Sequence, residues 1–205
     1  MSIRIVRGED IHYEHSHLTT AATKLLAAEP LILDTETTGL GDEAEICEIA
    51  VIRQDGSVVL DTLVRPTGKI FEDATRIHGI TDADVRDASS IDDVLDASVR
   101  LLLASHQIAI YNADYDLRLL RQSAAAAGQY DINIWAMGMR REAFCVMEAF
   151  AEWYGSWNVR HESYTWQKLE TAALHFGLSW DGKAHRALTD ARMTLEVVKS
   201  MAKGN

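Results

Sequence analysis

Apolar residues recur along this chain in two patterns, short unbroken runs and longer stretches with helical spacing. Short runs bounded by turn residues predict buried strands, whereas apolar positions three and four apart predict helices with one buried face. The predicted strands lie at 31–35, 46–53, 58–64, 107–111 and 132–136. The predicted helices lie at 18–27, 82–87, 91–104, 116–127, 143–154, 166–176 and 187–201.

The order of these elements predicts an α/β fold. Three strands come first and later strands alternate with helices, so we expect a mixed five-stranded sheet flanked by helices, with the first strand near its centre. The 205 residues are 47% hydrophobic, which suits one substantial core. With only two prolines and no linker-like stretch, we expect a single domain over 1–205, whose motif-bearing core spans about 29–200.

Four acidic residues and one histidine suggest shared chemistry. Asp34 and Glu36 follow an apolar run and lie two apart on a predicted strand, so both side chains share one face. Asp116 opens the helix after the fourth strand, and Asp190 opens the last helix, with His185 in the preceding loop. Carboxylates are ligands for hard divalent cations, and histidine titrates near neutral pH. Together they predict metal-dependent phosphodiester hydrolysis.

The type of donor favours Mg²⁺ or Mn²⁺ over zinc, because every candidate ligand is an oxygen. Two such ions about 3.5 to 4 Å apart can stabilise the attacking and leaving oxygens together. A metal also accounts for Asp34 directly after Leu31, Ile32 and Leu33, where an unpaired carboxylate would be costly. Two other acidic residues, Glu48 and Asp114, are not expected to be ligands.

In this order and context the motifs resemble the DEDDh (DnaQ-like) family of 3′-to-5′ exonucleases, which has a ribonuclease H-like fold. The resemblance covers about 31–198 and includes Ile-His-Gly-Ile-Thr at 77–81. It implies two divalent ions: Asp34 would bridge both, Glu36 and Asp190 would help hold the one that activates water, and Asp116 would support the other. His185 would be the general base.

The same resemblance implies contacts with the terminal nucleotide. The residues concerned are Thr37, Thr38, Gly39, Leu40, His78 and Asn112. Leu40 would act as an apolar wedge, while His78 could instead cap a turn before Gly79. Tyr111 departs from the family, which often has histidine before Asn-Ala. The aromatic-rich stretch at 153–166 is longer than a minimal member needs, which leaves substrate choice open.

The aromatic residues of that stretch have two interpretations. They could stack on unpaired bases, as in single-strand binders, or pack in the core. Packing is favoured for the helix-borne Trp153, Tyr154 and Trp166. Trp157 is the expected exception, because glycine, serine and asparagine surround it. Cys47 and Cys145 are interpreted as buried free thiols.

The net charge of −11 is the main objection to a nucleic-acid substrate, because phosphates attract basic surfaces. Bound cations would reverse the local sign of the potential that a phosphate meets. Basic residues near the motifs, among them Arg118, Arg121, Lys183 and Arg186, could line a groove or simply be solvated. We therefore expect salt-sensitive, short-range binding.

The leading hypothesis is a 3′-to-5′ exonuclease that releases nucleoside 5′-monophosphates, mainly from single-stranded DNA. An exoribonuclease of the oligoribonuclease or RNA-trimming type is the alternative, because selection at the 2′-hydroxyl leaves no trace in the sequence. A noncatalytic module that binds a nucleic-acid end or a polymerase is a third. The expected partner is a nucleic-acid 3′ end, with a homodimer or polymerase partner possible. Without a secretory or membrane-spanning stretch, a soluble cytoplasmic protein is expected.

Overall fold

The structure is a computed structural model that describes residues 15–94, 107–128 and 143–204. Its centre is a mixed sheet with the strand order β4-β3-β2-β1-β5-β6. The strands are β1 (Leu31–Thr37), β2 (Ile46–Arg53), β3 (Val58–Arg65), β4 (Ser89–Ser90), β5 (Ile108–Ile110) and β6 (Phe144–Cys145). A separate hairpin consists of β7 (Trp157–Asn158) and β8 (Ser163–Tyr164).

β1 lies inside the sheet because it pairs on both sides. It is antiparallel to β2, with Asp34 opposite Ala50, and parallel to β5, with Leu33 opposite Ile110. The first three residues of β1 and the first seven of β2 are all buried. Unbroken apolar runs of this kind are typical of strands covered on both faces. The central position expected for the first strand is therefore confirmed.

Helices cover both faces of the sheet. They are α1 (Ser16–Ala27), α2 (Glu72–His78), α3 (Asp82–Val85), α4 (Ala113–Ala126), α5 (Val146–Tyr154), α6 (Leu169–His175) and α7 (Ala187–Lys203). One core packs α1, α5, α6 and α7 against the face that carries Ile32 and Ile52. A second core packs α4 against the opposite face, which carries Leu33 and Val51. The two faces of β1 thus belong to two different cores.

The α/β class is confirmed, and the described residues form six strands of the sheet, whereas the sequence predicts five. β4 was missed because two serines carry no apolar pattern, and only pairing with Val64 and Arg65 of β3 defines them as a strand. The position beside β5 is taken by β6, whose residues lie in the segment predicted as the start of a helix. The predicted strand at 132–136 and most of the helix at 91–104 lie outside the described residues.

The start of α6 differs from the prediction. The apolar spacing predicts a helix from residue 166, but α6 begins at Leu169, because Lys168 has extended backbone angles (φ −73°, ψ 158°). α2 and the β7–β8 hairpin were also missed, since each is too short to show a period. Cys47 is buried as expected, whereas Cys145 is only partly buried. Across 15–94, 107–128 and 143–204, no helix is both long and apolar enough to span a membrane.

Candidate active site

Two elements distant in sequence bring three carboxylates together. β1 contributes Asp34 and Glu36, whose alternation along the strand directs both to one face. α7 contributes Asp190 from its first turn. One ligand oxygen from each of the three residues lies within 4.8 Å of the other two. This separation allows a single cation to contact all three.

Asp116 lines the same cavity from the first turn of α4 but is not part of that close triplet. It is 4% exposed and accepts a hydrogen bond of 2.7 Å from Thr35 Oγ1. Thr35 lies between Asp34 and Glu36 on β1, so this bond ties α4 to the carboxylate strand. The structure therefore places the fourth predicted acid beside the triplet, fixed by its own hydrogen bond.

Burial and mutual repulsion raise the pKa of all four carboxyl groups. Burial, followed by the charges of Asp116 and Asp190, raises the pKa of Asp34 well above its ordinary value. Burial raises the pKa of Glu36 to about 8, with Asp190 and Glu48 adding repulsion. Burial likewise raises the pKa of Asp116 to about 7 and that of Asp190 to about 6. The cluster therefore favours a bound cation or protons.

The four groups fit divalent metal ions. All donors are carboxylate oxygens, which hard cations such as Mg²⁺ and Mn²⁺ prefer. Among the described residues, no lysine or arginine forms an ion pair with any of the four. Arg186, whose charge acts on Glu36, is paired with Glu48 instead. The negative charge of the cluster is therefore not neutralised by a basic side chain of the described chain.

Glu48 anchors the start of α7. It lies opposite Glu36 in the register of β1 and β2 and is 3% exposed. Its carboxylate accepts hydrogen bonds from the Arg186 guanidinium and, at 2.8 Å, from the Ala187 backbone N–H. These bonds occupy the carboxylate with structural partners, and they hold the helix end that carries Asp190 against the sheet.

His185 lies at the edge of the cavity with an unusual backbone. Its φ of 61° is in the left-handed region, and its backbone N–H donates to Asp190 Oδ1 at 3.1 Å. Its Nε2 lies 3.3 Å from Glu170 Oε1, and both side chains are about two-fifths exposed. Glu170 was not predicted as a site residue, because no local pattern indicates that the first turn of α6 faces His185.

A cavity of about 780 Å³ opens over the carboxylates. Its rim carries exposed apolar side chains from separate segments. They are Leu40 (78% exposed), Phe71 (61%), Ile77 (52%) and Trp166 (68%). Leu40 was predicted as a contact, but Phe71 and Ile77 were missed because their exposure depends on how α2 packs beside β1.

The loop after β1 is held by one face of α4. The Tyr115 hydroxyl donates to the Gly39 carbonyl at 3.1 Å and is hydrogen-bonded to Thr37 Oγ1 at 2.8 Å. Gln122 Nε2 donates to the Ala44 carbonyl at 2.9 Å. A Cβ at Gly39 would lie 2.7 Å from Phe71 Cδ2, so a larger residue here would displace the Phe71 ring. The loop is thus fixed before any substrate binds.

The predicted nucleotide contacts divide into two groups. Thr37, Gly39, Leu40, His78 and Asn112 line the cavity. Thr38 does not: it is 2% exposed, and its Oγ1 accepts a hydrogen bond from the Glu45 backbone N–H. Its hydroxyl is therefore a structural group.

His78 both borders the cavity and closes a turn. Its Nδ1 accepts a hydrogen bond of 2.9 Å from the Ile80 N–H, so its Nε2 carries the proton and donates to the Thr37 carbonyl at 3.1 Å. Burial lowers the pKa of His78, which agrees with a neutral ring. Asn112 caps α4, with its Oδ1 3.4 Å from the Tyr115 N–H.

The aromatic stretch is only partly packed. Trp153 is 4% exposed, as expected, and Trp157 is 51% exposed. The expectation that Trp166 lies on a helix and packs in the core is wrong, because it precedes α6 and lines the cavity. Tyr154 is also partly exposed, at 43%.

Three of the basic residues that could line a groove have other partners. Arg186 pairs with Glu48, and Arg118 lies over the Tyr115 ring at 5.1 Å. Lys183 Nζ donates to the His78 carbonyl at 3.4 Å. Within the described part of the chain, Lys168 is the only lysine or arginine that lines the cavity, and the sequence reasoning missed it.

A cluster of partly buried carboxylates on a central strand and a neighbouring helix, with a histidine in the same cleft, is suited to metal-dependent phosphodiester hydrolysis. Comparison with known proteins agrees. The family model described as Exonuclease, RNase T, matches residues 31–198. This chain therefore belongs to the RNase T (DnaQ-like) exonuclease family, as its motifs predicted.

Individual relatives support the same assignment. Uncharacterized exonuclease CP81 of Escherichia phage 186 is 45% identical over 187 residues, which cover 91% of this chain and 95% of that protein. DNA polymerase III PolC-type of Thermotoga petrophila is 32% identical over 175 residues, 82% of this chain but 11% of that much longer protein. A solved structure of exonuclease X in complex with 5′ overhanging duplex DNA is similar with a TM-score of 0.58 and 26% identity, covering 84% of this chain and 91% of that one. The ribonuclease H-like fold is confirmed.

Proposed function

We propose that this protein is a divalent-metal-dependent 3′-to-5′ exonuclease that removes nucleoside 5′-monophosphates, mainly from single-stranded DNA. The observation that carries the proposal is the triplet of Asp34, Glu36 and Asp190, whose oxygens lie within 4.8 Å of one another in a cleft that His185 also lines. Carboxylates this close repel one another, so the geometry is favourable only with a cation or protons between them.

Asp34, Glu36, Asp190 and Asp116 would hold two divalent ions, Mg²⁺ or Mn²⁺, which when bound lower the pKa of water and neutralise charge on the phosphate. Asp34, whose pKa is raised by burial and by the charges of the other three acids, would be one of these ligands. The Thr35 hydroxyl orients Asp116 through their 2.7 Å hydrogen bond. Glu48 keeps the start of α7 in place, and with it Asp190.

His185 would accept the proton of the attacking water at its imidazole ring. The ring lies at the solvent-facing edge of the cleft and is partly exposed, so the proton can pass on to solvent. Glu170 Oε1, 3.3 Å from Nε2, would orient the ring. General bases of this kind contribute roughly 10²- to 10⁴-fold to a rate.

The apolar rim supports an unpaired end as substrate. Leu40 is 78% exposed on a loop that Tyr115 holds in place, so it can insert beside a base without moving. Phe71 packs against Gly39 next to it. Aromatic and apolar surfaces bind bases by their faces, which are accessible in a single strand. The DNA in the exonuclease X complex supports DNA over RNA.

The test compares single strands of DNA and RNA and a 5′-overhanging DNA duplex, each labelled at either end, with and without Mn²⁺. We expect a ladder shortened from the 3′ end of single-stranded DNA, and no cleavage in excess chelator. Asp34→Asn should abolish cleavage, and calorimetry should detect no Mn²⁺ binding to this variant. His185→Ala should lower the turnover by roughly 10²- to 10⁴-fold while Mn²⁺ still binds.

Asp114→Asn is the matched control, because Asp114 is exposed on the same helix as Asp116 and does not line the cavity. It should retain wild-type activity. Full activity with excess chelator would contradict metal dependence. Faster cleavage of RNA than of DNA would contradict the proposed DNA substrate and support the exoribonuclease alternative.

A further inference from the structure

The segment between β8 and α6 forms one wall of the cavity. Trp166, Gln167 and Lys168 all line it. Trp166 is 68% exposed, and Lys168 is also exposed. Neither residue belonged to the nucleotide contacts that the sequence predicted.

The backbone of this segment is firmly held. The buried Tyr111 donates its hydroxyl hydrogen bond to the Gln167 carbonyl at 2.9 Å. The Thr165 N–H donates to the Ser156 carbonyl at 2.7 Å. Leu169, which follows Lys168, is buried at 8% exposure. The indole is therefore presented to solvent by a fixed support, at a small entropic cost for any ligand that it contacts.

Trp166 and Lys168 lie two positions apart in the segment. Both line the same cavity, and both side chains are exposed. A large apolar surface and a cation are thus paired at one wall.

The charge of Lys168 stands out against its surroundings. Six carboxyl-bearing residues line the cavity: Asp34, Glu36, Asp73, Asp116, Glu170 and Asp190. Of the lining residues that the structure describes, Lys168 alone is a lysine or arginine. A ligand that is aromatic and also carries negative charge matches the pair of Trp166 and Lys168.

We propose that Trp166 and Lys168 form a subsite for one nucleotide of the unpaired strand end, with the indole stacked on its base and the ammonium group beside its phosphate. This subsite rests on the proposed function, since it lines the same cleft as the carboxylate triplet. Stacking is tolerant of base identity, because every base has a face. The subsite therefore favours unpaired strands over particular sequences.

The test of stacking measures kcat/KM on single strands that are intact or lack one base at the first, second or third position from the 3′ end. Trp166→Ala should lower kcat/KM on the intact strand by about 5- to 150-fold, the range expected for loss of one stacked base. Trp166→Phe should restore most of it. When the missing base is the one that Trp166 contacts, wild type and Trp166→Ala should have equal kcat/KM.

Trp157→Ala is the matched control, because Trp157 is 51% exposed on the neighbouring hairpin and does not line the cavity. It should cleave all strands as wild type does. Unfolding midpoints of the Trp166 variants should equal that of wild type, since the side chain is largely solvent-exposed.

The test of the phosphate contact measures how kcat/KM falls with KCl at a constant Mn²⁺ concentration. Lys168→Ala should reduce the slope of log kcat/KM against log salt by about 0.7, the value for one phosphate contact on a single strand. Lys168→Arg should keep the slope. Lys24→Ala, an exposed lysine on α1, should leave it unchanged.

The two levels of the proposal fail in different ways. If the wild-type chain releases no mononucleotides in Mn²⁺, the proposed function fails. If wild type is active but Trp166→Ala cleaves as well as wild type, or loses the same factor on every base-deleted strand, the stacking subsite is overturned. An unchanged salt slope in Lys168→Ala overturns the phosphate contact.

Discussion

The chemistry of the site lies in single residues whose protonation depends on their neighbours. Glu36 has a pKa of about 8 because burial and the charges of Asp190 and Glu48 oppose its ionised form. Asp34 is shifted in the same direction for the same reason. Near neutral pH, protons and cations therefore compete for the same oxygens, and metal binding releases protons.

This competition predicts how pH affects the stability of the metal-free protein. Because folding raises the pKa of Glu36, the folded state holds its proton more tightly than the unfolded state, and protonated Glu36 stabilises the fold. This contribution to the free energy of unfolding is present at pH 4 and is lost as pH rises through about 8. Glu36→Gln removes this loss. In excess chelator its unfolding midpoint should match wild type near pH 5 and exceed it at pH 9.

In saturating Mn²⁺ at pH 9, wild type should have a higher unfolding midpoint than Glu36→Gln, because only wild type retains the full ligand set and is stabilised by binding. Glu43→Gln, at an exposed position, is the control and should follow wild type throughout. A difference between Glu36→Gln and wild type that is the same at pH 5 and pH 9 would refute the shifted pKa.

At the scale of elements, the site depends on how α7 docks on β2. Glu48 accepts hydrogen bonds from the Ala187 N–H and the Arg186 guanidinium, and the first turn of α7 carries Asp190. The anchor is therefore remote from the substrate but sets the position of a metal ligand.

Replacement of the anchor should affect both stability and activity. Glu48→Ala leaves the buried Ala187 N–H without its acceptor, so the free energy of unfolding should fall by about 1 to 3 kcal/mol. Turnover should also fall, because α7 can shift with Asp190 and His185. Glu48→Gln keeps an acceptor and should lose less of both. Chemical denaturation and single-turnover kinetics would measure the two effects, and equal losses in the two variants would contradict the anchoring role.

At the scale of the molecule, the charge of −11 opposes the approach of a polyanion. Three of the basic residues near the motifs are engaged elsewhere: Arg186 with Glu48, Arg118 with Tyr115, and Lys183 with the His78 carbonyl. Among the described residues that line the cavity, Lys168 is the only lysine or arginine, so binding there should depend on the metal site and on stacking.

We expect a shallow dependence of cleavage on salt. With about one to three phosphate contacts, log kcat/KM should fall against log salt with a slope of about −0.7 to −2 on single strands. Kinetics in KCl at constant Mn²⁺ would measure it, with the small ester of a mononucleotide as a substrate of low charge for comparison. A slope several times steeper would indicate a basic surface that the described residues do not contain.

Local periodicity alone was enough for much of this protein. The alternation of Asp34 and Glu36 after Leu31, Ile32 and Leu33 placed both carboxylates on one face of a buried strand, because side-chain direction in a strand depends only on position. Apolar spacing located α1, α4 and α7 for a similar reason. Motif order and family likeness then predicted that Asp116 and Asp190 join the same site.

Tertiary structure decided what depends on neighbours distant in sequence. β4 and β6 are strands only because β3 and β5 pair with them, and no pattern within two residues could reveal it. The contact of Glu170 with His185 and the exposure of Trp166 follow from how the segment before α6 lies against Tyr111. The direction of a side chain along a strand depends only on its position. Burial and contacts between distant residues depend on the assembled fold, so only the tertiary structure could assign them.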